Sequence, residues 1–160
     1  MQKITLISVG RLKEDFFKSA EGEYSKRLSG FCDLKIIEVN QQQLPSNPSA
    51  GQIESALETE AEDILSKIPK GSEVIALCIE GRLHSSEELS KIIETNANMG
   101  SGSMTFIIGG SFGLSEKVKS KSKIRLSMSK MTFPHRLARV MLLEQIYRAY
   151  QIESGSRYHK

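Results

Sequence analysis

The chain has 160 residues, of which 39% are hydrophobic and 26% are charged, and its formal net charge is +3. This length and composition are typical of one globular domain with its own core, so we expect a single domain over residues 1–160. No apolar run approaches the ~20 residues of a membrane span, and the N-terminus lacks the long apolar core of a signal peptide. We therefore expect a cytoplasmic protein that does not cross a membrane.

The first half of the chain alternates short apolar runs with helical patterns. Residues 4–9 are rich in β-branched side chains and predict a strand that Gly10 closes. Apolar side chains then recur at intervals of three and four, which predicts an amphipathic helix over residues 13–29. Residues 34–39 predict a second strand. A polar loop with two prolines follows, and residues 53–68 carry the apolar spacing of a second helix.

The second half continues the alternation. Residues 74–79 form an almost unbroken apolar run, which is typical of a parallel strand covered on both faces. Ser85 or Ser86 can cap a third helix, and Glu88 has the capping-box spacing from Ser85. Strands are predicted at 104–108 and 124–128, with a short helix after Ser115 and a long last helix that Pro134 opens. Together these elements predict an α/β fold, with a mostly parallel sheet and helices on both faces.

The last helix is apolar around most of its circumference. A helix of this kind must be buried on more than one side. In a chain this short, we expect one side to pack on the sheet and the other on a second subunit, so the sequence predicts a homodimer. The residues that cover the helix are Leu137, Ala138, Val140, Met141, Leu142, Leu143, Ile146, Tyr147, Ala149 and Tyr150.

A glycine-rich segment, FIIGGSFGLS at residues 106–115, is a first candidate for ligand binding. Its glycines let the backbone approach a ligand closely, and in a doubly wound sheet ligands bind at the carboxyl ends of the strands. The spacing does not match the dinucleotide fingerprint, and the loop has no P-loop lysine. A simple turn therefore stays open as an alternative.

A second candidate is the loop between the last strand and the last helix, within LSMSKMTFPHRLARVMLLEQIYRA at residues 126–149. Ser129 and Thr132 offer hydroxyls, while Met128, Met131 and Phe133 are apolar. This mixture suits an adenosine-like ligand, which needs both ring contacts and hydrogen bonds. The alternative is that Thr132 caps the helix and the methionines fill the core. His135 could act as a base, although a structural histidine is the more common case.

Metal and redox chemistry have little support in the sequence. Cys32 and Cys78 lack the spacing of zinc ligands, and the three histidines are far apart. Cys78 also lies inside the apolar run VIALCI, where a buried reduced thiol is the usual occupant. We therefore expect no metal.

Charge is distributed unevenly along the chain. Residues 53–63 are acidic, whereas residues 117–139 contain no acid at all. A basic face could meet the phosphates of a nucleic acid, although a solvated lysine-rich surface remains the alternative. The bases that could hold RNA are Arg11 and Lys13 after the first strand, the alternating bases between Lys117 and Arg125, and Arg136 and Arg139 at the start of the last helix.

Four segments together carry a family resemblance: the opening ITLISVGRLKE, the IIGGSFGL loop, the run SKMTFPHRLARVMLLEQIYRAYQI and the closing RYHK. Over its whole length the chain resembles the bacterial RlmH family. These proteins are the ribosomal large-subunit pseudouridine N3-methyltransferases of the SPOUT superfamily.

The resemblance implies a fold with a C-terminal trefoil knot, a rare exception to the rule that protein chains are not knotted. It also implies that S-adenosyl-L-methionine binds in the knot, next to a homodimer interface. The residues that match the family's cofactor contacts are Leu77, Gly109, Met128, Ser129, Lys130, Met131, Thr132 and Phe133. Leu77 would otherwise be assigned to the core.

The implied substrate is a pseudouridine of 23S rRNA on the assembled ribosome, methylated at N3. In the family the C-terminal tail is thought to cover the active site, so the resemblance makes Tyr158 and His159 the candidates for orienting the substrate or removing its proton. Two alternatives remain open, namely a SPOUT enzyme that methylates tRNA and an inactive ribosome-binding or assembly factor.

Overall fold

Strands and helices alternate five times along residues 1–159, the part of the chain that the computed structural model describes. The strands are β1 (Gln2–Val9), β2 (Cys32–Val39), β3 (Glu73–Leu83), β4 (Ser103–Ile108) and β5 (Ile124–Ser127). The helices are α1 (Asp15–Leu28), α2 (Ala50–Lys67), α3 (Ser86–Met99), α4 (Glu116–Lys121) and α5 (His135–Glu153). None of these helices is long and apolar enough to cross a membrane.

All five strands are parallel and form one sheet in the order β2-β1-β4-β3-β5. The register is continuous across the middle of the sheet, where Ile4 lies opposite Leu34 on one side and Met104 on the other. The predicted α/β fold with a parallel sheet is confirmed. Because every strand runs the same way, all the carboxyl ends open at one edge of the sheet.

Two apolar layers cover the two faces of the sheet. Ile4 and Leu6 face a cluster that contains residues of α1, α3 and α5, while Ile7 and Val9 face a cluster that contains residues of α2 and α4. The alternation follows from the period of two along a strand. Burying one such side chain fully contributes about 1.5–3 kcal/mol, so the two clusters hold the sheet and helices together.

The helix starts follow the capping signals in the sequence. Ser85 accepts a hydrogen bond from the backbone of Glu88 at 3.1 Å and the Glu88 carboxylate accepts one in return, so Ser85 and not Ser86 is the cap of α3. Ser49 and Gln52 form the same reciprocal pair at the start of α2. Pro134 is the N-cap residue of α5 and therefore lies one position before the first turn in which it was expected.

The basic stretch after residue 116 does not form the single face that its alternating pattern suggested. Residues 116–121 are helix α4, where successive odd positions point in different directions. Four bases of the stretch 117–125 also contact carboxylates: Lys117 with Glu58, Lys119 with Glu80, Lys123 with Glu73, and Arg125 with Glu116. Acidic side chains from α2, β3 and α4 itself therefore neutralise much of this surface.

Arg139 is a structural residue, and its assignment to an RNA-binding surface is wrong. The residue is 2% exposed. Its guanidinium donates to both carboxylate oxygens of Glu21, at 2.5 and 3.0 Å, and to Glu38 at 2.8 Å. The three side chains belong to α5, α1 and β2, so this ion-pair network joins the last helix to the first part of the chain.

Replacing Arg139 with alanine should lower the free energy of unfolding by about 3 kcal/mol, because Glu21 and Glu38 would lose their shared partner. Urea unfolding measures the change. Arg27→Ala is the matched control, since its pair with Glu23 is exposed, and it should hardly move the midpoint. Equal shifts for the two variants would show that the buried network contributes no more than a surface pair.

Candidate functional site

The carboxyl ends of β3, β4 and β5 surround a cavity of about 820 Å³. Three segments form most of its wall: residues 77–80 of β3, residues 108–114 after β4, and residues 126–135 after β5, except for Lys130. Lys119 and Ala138 complete the wall. The cavity therefore lies where a parallel α/β sheet ordinarily binds its ligand.

Seven of the eight residues expected to contact the cofactor line this one cavity. They are Leu77, Gly109, Met128, Ser129, Met131, Thr132 and Phe133. Lys130 is exposed and is absent from the wall. Leu77 and Phe133, which are 56 positions apart in sequence, thus line the same cavity.

An interruption in strand pairing explains how β3 reaches the cavity. β3 pairs with β5 up to Leu77 and resumes at Arg82, with a register shift between them. The intervening residues Cys78, Ile79 and Glu80 line the cavity. Leu77 is half-buried instead of fully buried, because its side chain borders this opening.

Gly109 is confined to glycine by the backbone around it. A Cβ atom at this position would lie 2.4 Å from the carbonyl oxygen of Gly113 and 2.5 Å from its carbon. The loop folds back on itself here, and the Gly113 amide donates to the Gly110 carbonyl at 3.0 Å. This close approach lets bare backbone form one wall of the cavity.

The loop after β5 is shaped by serine hydroxyls. Ser127 donates to the carbonyl of Ser129 at 3.0 Å, and the amide of Met131 donates to the Ser129 hydroxyl at 3.0 Å. The resulting turn leaves Met131 75% exposed. Thr132 does not cap α5, because the N-cap is Pro134 and no side chain makes a capping hydrogen bond there.

His135 lies at the inner end of the same wall. Its Nε2 is buried and has no hydrogen-bond partner within residues 1–159. Burial, and then the neighbouring charge of Arg136, lower the pKa of this imidazole, while Glu14 opposes them. His135 is therefore neutral at pH 7, and its Nε2 accepts and donates no hydrogen bond among the described residues.

The charged side chains of the cavity offset one another. Glu80 and Lys119 form an ion pair on the wall, and the hydrogen bond from Lys119 is the main cause that lowers the pKa of Glu80. The remaining lining is mostly apolar side chains and loop backbone. Among residues 1–159, no group of three or more His, Cys, Asp or Glu side chains could hold a metal ion.

Tyr158 and His159 do not line the cavity in the single chain. Tyr158 donates to the Glu144 carboxylate at 3.1 Å, and its ring lies under the Arg148 guanidinium. His159 contacts Arg148 at 3.0 Å and Glu87 at 2.6 Å. The tail therefore packs on the C-terminal half of α5, at Glu144 and Arg148, and on the first turn of α3, at Glu87. Lys160, the last residue of the predicted tail, is outside the described residues.

Burial, followed by the charge of Glu144, raises the pKa of the Tyr158 phenol. In this position Tyr158 is a hydrogen-bond donor, and both ring nitrogens of His159 are engaged, one by Arg148 and one by Glu87.

Ile79 and Glu80 are wall residues that the sequence did not suggest. Phe112 belongs to the glycine-rich segment that the sequence did suggest, although it was not singled out there. Ile79 and Glu80 stand at the end of an apolar strand, so their sequence shows little sign of a site. Ile79 is 63% exposed and Phe112 is 48% exposed, so both present apolar side chains at the opening of the cavity.

Comparison with known proteins gives a family match over nearly the whole chain. Residues 2–159 match the family described as predicted SPOUT methyltransferase. The chain is 51% identical to the ribosomal RNA large subunit methyltransferase H of Clostridium botulinum (strain Okra / Type B1), with 98% of this chain and 99% of that protein covered. Proteins of the same name from Clostridioides difficile (strain 630) and Pelotomaculum thermopropionicum are 48% and 45% identical, over 98% and 99% of this chain.

The fold has a counterpart among solved structures. A probable methylase family protein from Haemophilus influenzae Rd KW20 superimposes with a TM-score of 0.53 at 15% identity, covering 99% of this chain and 70% of that chain. This likeness concerns the fold alone, whereas the sequence matches span almost every residue of the site. The chain belongs to the SPOUT methyltransferase family, in the group of the ribosomal RNA large subunit methyltransferases H, and is an enzyme that transfers a methyl group from a donor.

Proposed function

We propose that this enzyme uses S-adenosyl-L-methionine to methylate N3 of a pseudouridine in 23S rRNA, and that it acts as a homodimer on the assembled ribosome in the cytoplasm. One observation carries the proposal: seven of the eight residues expected to bind the cofactor meet around one cavity at the carboxyl edge of the sheet. The printed name of its relatives, ribosomal RNA large subunit methyltransferase H, supports the choice of substrate.

The cavity fits such a cofactor in size and chemistry. Its volume of about 820 Å³ lies within the range typical of small-molecule sites. Leu77, Met128 and Phe133 offer apolar contacts for an adenine ring, and the backbone at Gly109 can approach the ligand directly. When bound, S-adenosyl-L-methionine supplies a methyl group on a sulfonium, which already activates that group for transfer.

The chain itself must position the target ring nitrogen and help its proton leave. His159 is our candidate for accepting that proton, and Tyr158 is our candidate for orienting the base through a hydrogen bond from its phenol. Both roles need the tail to reach a cavity that it does not touch within one subunit. Since the tail packs beside Glu144 and Arg148 on α5, a second subunit bound to that helix would bring it to another active site.

The half-buried side of α5 supports the dimer. Leu142, Leu143 and Ile146 are fully buried against the sheet layer, whereas Val140 and Met141 on the same helix are only partly buried. The prediction from the sequence required a partner on this second side.

The first test is transfer of labelled methyl from S-adenosyl-L-methionine to ribosomes that lack this modification, followed by mapping of the labelled nucleotide. We expect label at N3 of one pseudouridine of 23S rRNA. Label in tRNA instead would identify the other SPOUT activity. A protein that binds ribosomes but transfers no methyl and shows no affinity for the cofactor would be an assembly factor.

Gly109→Ala should weaken binding of S-adenosyl-L-methionine, because the new methyl would force the loop away from Gly113. Overpacking of this kind costs about 1–3 kcal/mol, which corresponds to roughly ten- to hundredfold in affinity. Gly110→Ala is the control on the same wall: its Cβ would meet nothing closer than 3.5 Å, so its effect should be much smaller. Calorimetric titration with S-adenosyl-L-methionine measures the affinity of both variants. Similar affinities of Gly109→Ala and Gly110→Ala would rule out the steric role of Gly109.

Removing residues 157–160 should abolish methyl transfer while leaving cofactor affinity almost unchanged, because none of the described tail residues, 157–159, lines the cavity. Mixing tests whether the tail acts across the dimer. A tail-deleted subunit with an intact cavity is paired with a Gly109→Ala subunit that keeps its tail, and the mixed dimer is purified by two affinity tags. Activity recovered at a cofactor concentration too low for the Gly109→Ala homodimer to turn over means that the tail completes its partner's site. Wild-type turnover by the tail-deleted protein alone would exclude any catalytic role for Tyr158 and His159.

A further inference from the structure

A second cleft, separate from the cofactor cavity, opens between the loop after β1 and the loop after β2. Its volume is about 1090 Å³. Residues 10–13 and 38–45 form its two sides, and Lys18, Phe112 and Arg136 complete the lining. Because β1 and β2 end at the same edge of the sheet as β4, the cleft and the cavity are neighbours.

A thin wall separates the two spaces. Phe112 lines both of them. A Cβ atom on Gly10 would lie 3.5 Å from the Gln41 side chain and 3.8 Å from His135 Nε2, and one on Gly110 would lie 3.5 Å from Gln41. Residues of the cleft and of the cavity are thus in contact, so a chain lying in the cleft passes directly beside the reacting centre.

The cleft has more bases than acids in its lining. Arg11, Lys13 and Lys18 are exposed and have no carboxylate within 4.0 Å among residues 1–159. The one acid in the lining, Glu38, shares Arg139 with Glu21, so one negative charge of that network stands against these three cations. Arg136 contributes a fourth base, although it contacts Glu14 at 3.3 Å.

This situation differs from that of α4, where Lys117 and Lys119 contact carboxylates. An anion that approaches Lys117 or Lys119 must displace those partners, whereas one that enters the cleft meets three unpaired cations that line the same space.

The opposite side of the cleft supplies neutral donors. Asn40 and the three glutamines at 41–43 follow β2, and their amides can donate to phosphate or sugar oxygens. The backbone of the loop is held in place by two hydrogen bonds. The backbone amide of Gln42 donates to the buried Glu60 carboxylate at 2.9 Å, and the backbone amide of Gly10 donates to the Val39 carbonyl at 2.8 Å. A fixed row of amides facing free cations suits a polyanion better than one small ion.

We infer that this cleft binds the phosphate backbone of the RNA strand that carries the target nucleotide. The inference rests on the proposed function, because it assigns the part of the enzyme that holds that substrate. Lys13 and Lys18 supply charge to the phosphates, and the cleft directs the strand past Phe112 toward the cavity. Lys13 and Lys18 do not line the cofactor cavity, so their contribution is to substrate binding alone.

The test compares two double variants with the same change in charge. Lys13→Gln/Lys18→Gln removes two free cations of the cleft. Lys3→Gln/Lys70→Gln removes two exposed lysines near the amino ends of β1 and β3, at the opposite edge of the sheet, that also have no carboxylate within 4.0 Å among residues 1–159. Each full-length protein is assayed for binding to unmodified ribosomes by sedimentation at several salt concentrations, for methyl transfer, and for affinity toward S-adenosyl-L-methionine.

The cleft variant should bind ribosomes about tenfold more weakly, with a salt dependence reduced by about one to two counterions in the log–log slope. Its affinity for S-adenosyl-L-methionine should match wild type, and the control variant should bind ribosomes within about twofold of wild type. Equal ribosome binding by the two variants overturns the inference.

The binding assay also separates this inference from the proposed function. If wild-type protein transfers no methyl but its ribosome binding still depends on Lys13 and Lys18, the function is wrong and the cleft assignment stands. If methyl transfer to 23S rRNA occurs and ribosome binding ignores both lysines, the function stands and the cleft assignment fails.

Discussion

The parallel direction of all five strands is the constraint on which the rest of the molecule depends. It brings five carboxyl ends to one edge, and the loops that leave this edge form both the cavity beside β3, β4 and β5 and the basic cleft. A parallel sheet must also be covered on both faces, which explains the two apolar layers and the almost unbroken apolar run at residues 74–79 of β3. The position of the site and the stability of the core thus have the same cause.

Ion pairs divide the basic residues into two groups with different tasks. Arg139 is neutralised inside the fold and holds α5 to α1 and β2, while Lys117 and Lys119 of α4 are matched by acids from α2 and β3. Arg11 and Lys13 of the β1–α1 loop and Lys18 of α1 have no such partner among residues 1–159 and line one cleft beside the cavity. A modest net charge of +3 can therefore give one strongly attractive region.

Local sequence patterns were sufficient for the elements and for two of the three cavity loops. The period of two and the capping residues Ser49 and Ser85 are short-range signals, so they can be read directly. Leu77 could be assigned only through the family resemblance, because the break in pairing that exposes it involves β5, about 50 residues later. The burial of Arg139 was equally unreadable, since its partner Glu21 is 118 positions away. Contacts of that range are decided by tertiary packing.

The late position of α5 has a consequence for how the protein is made. This helix supplies Leu142, Leu143 and Ile146 to the core, and the segment just before it forms a wall of the cavity. In the knotted fold of this family, the same C-terminal segment must also be threaded through a loop. A nascent chain that stops before α5 therefore has neither a closed core nor a complete cavity wall. The cavity can be complete only after α5 has been made, so a chain terminated before this helix is not expected to hold the methyl donor.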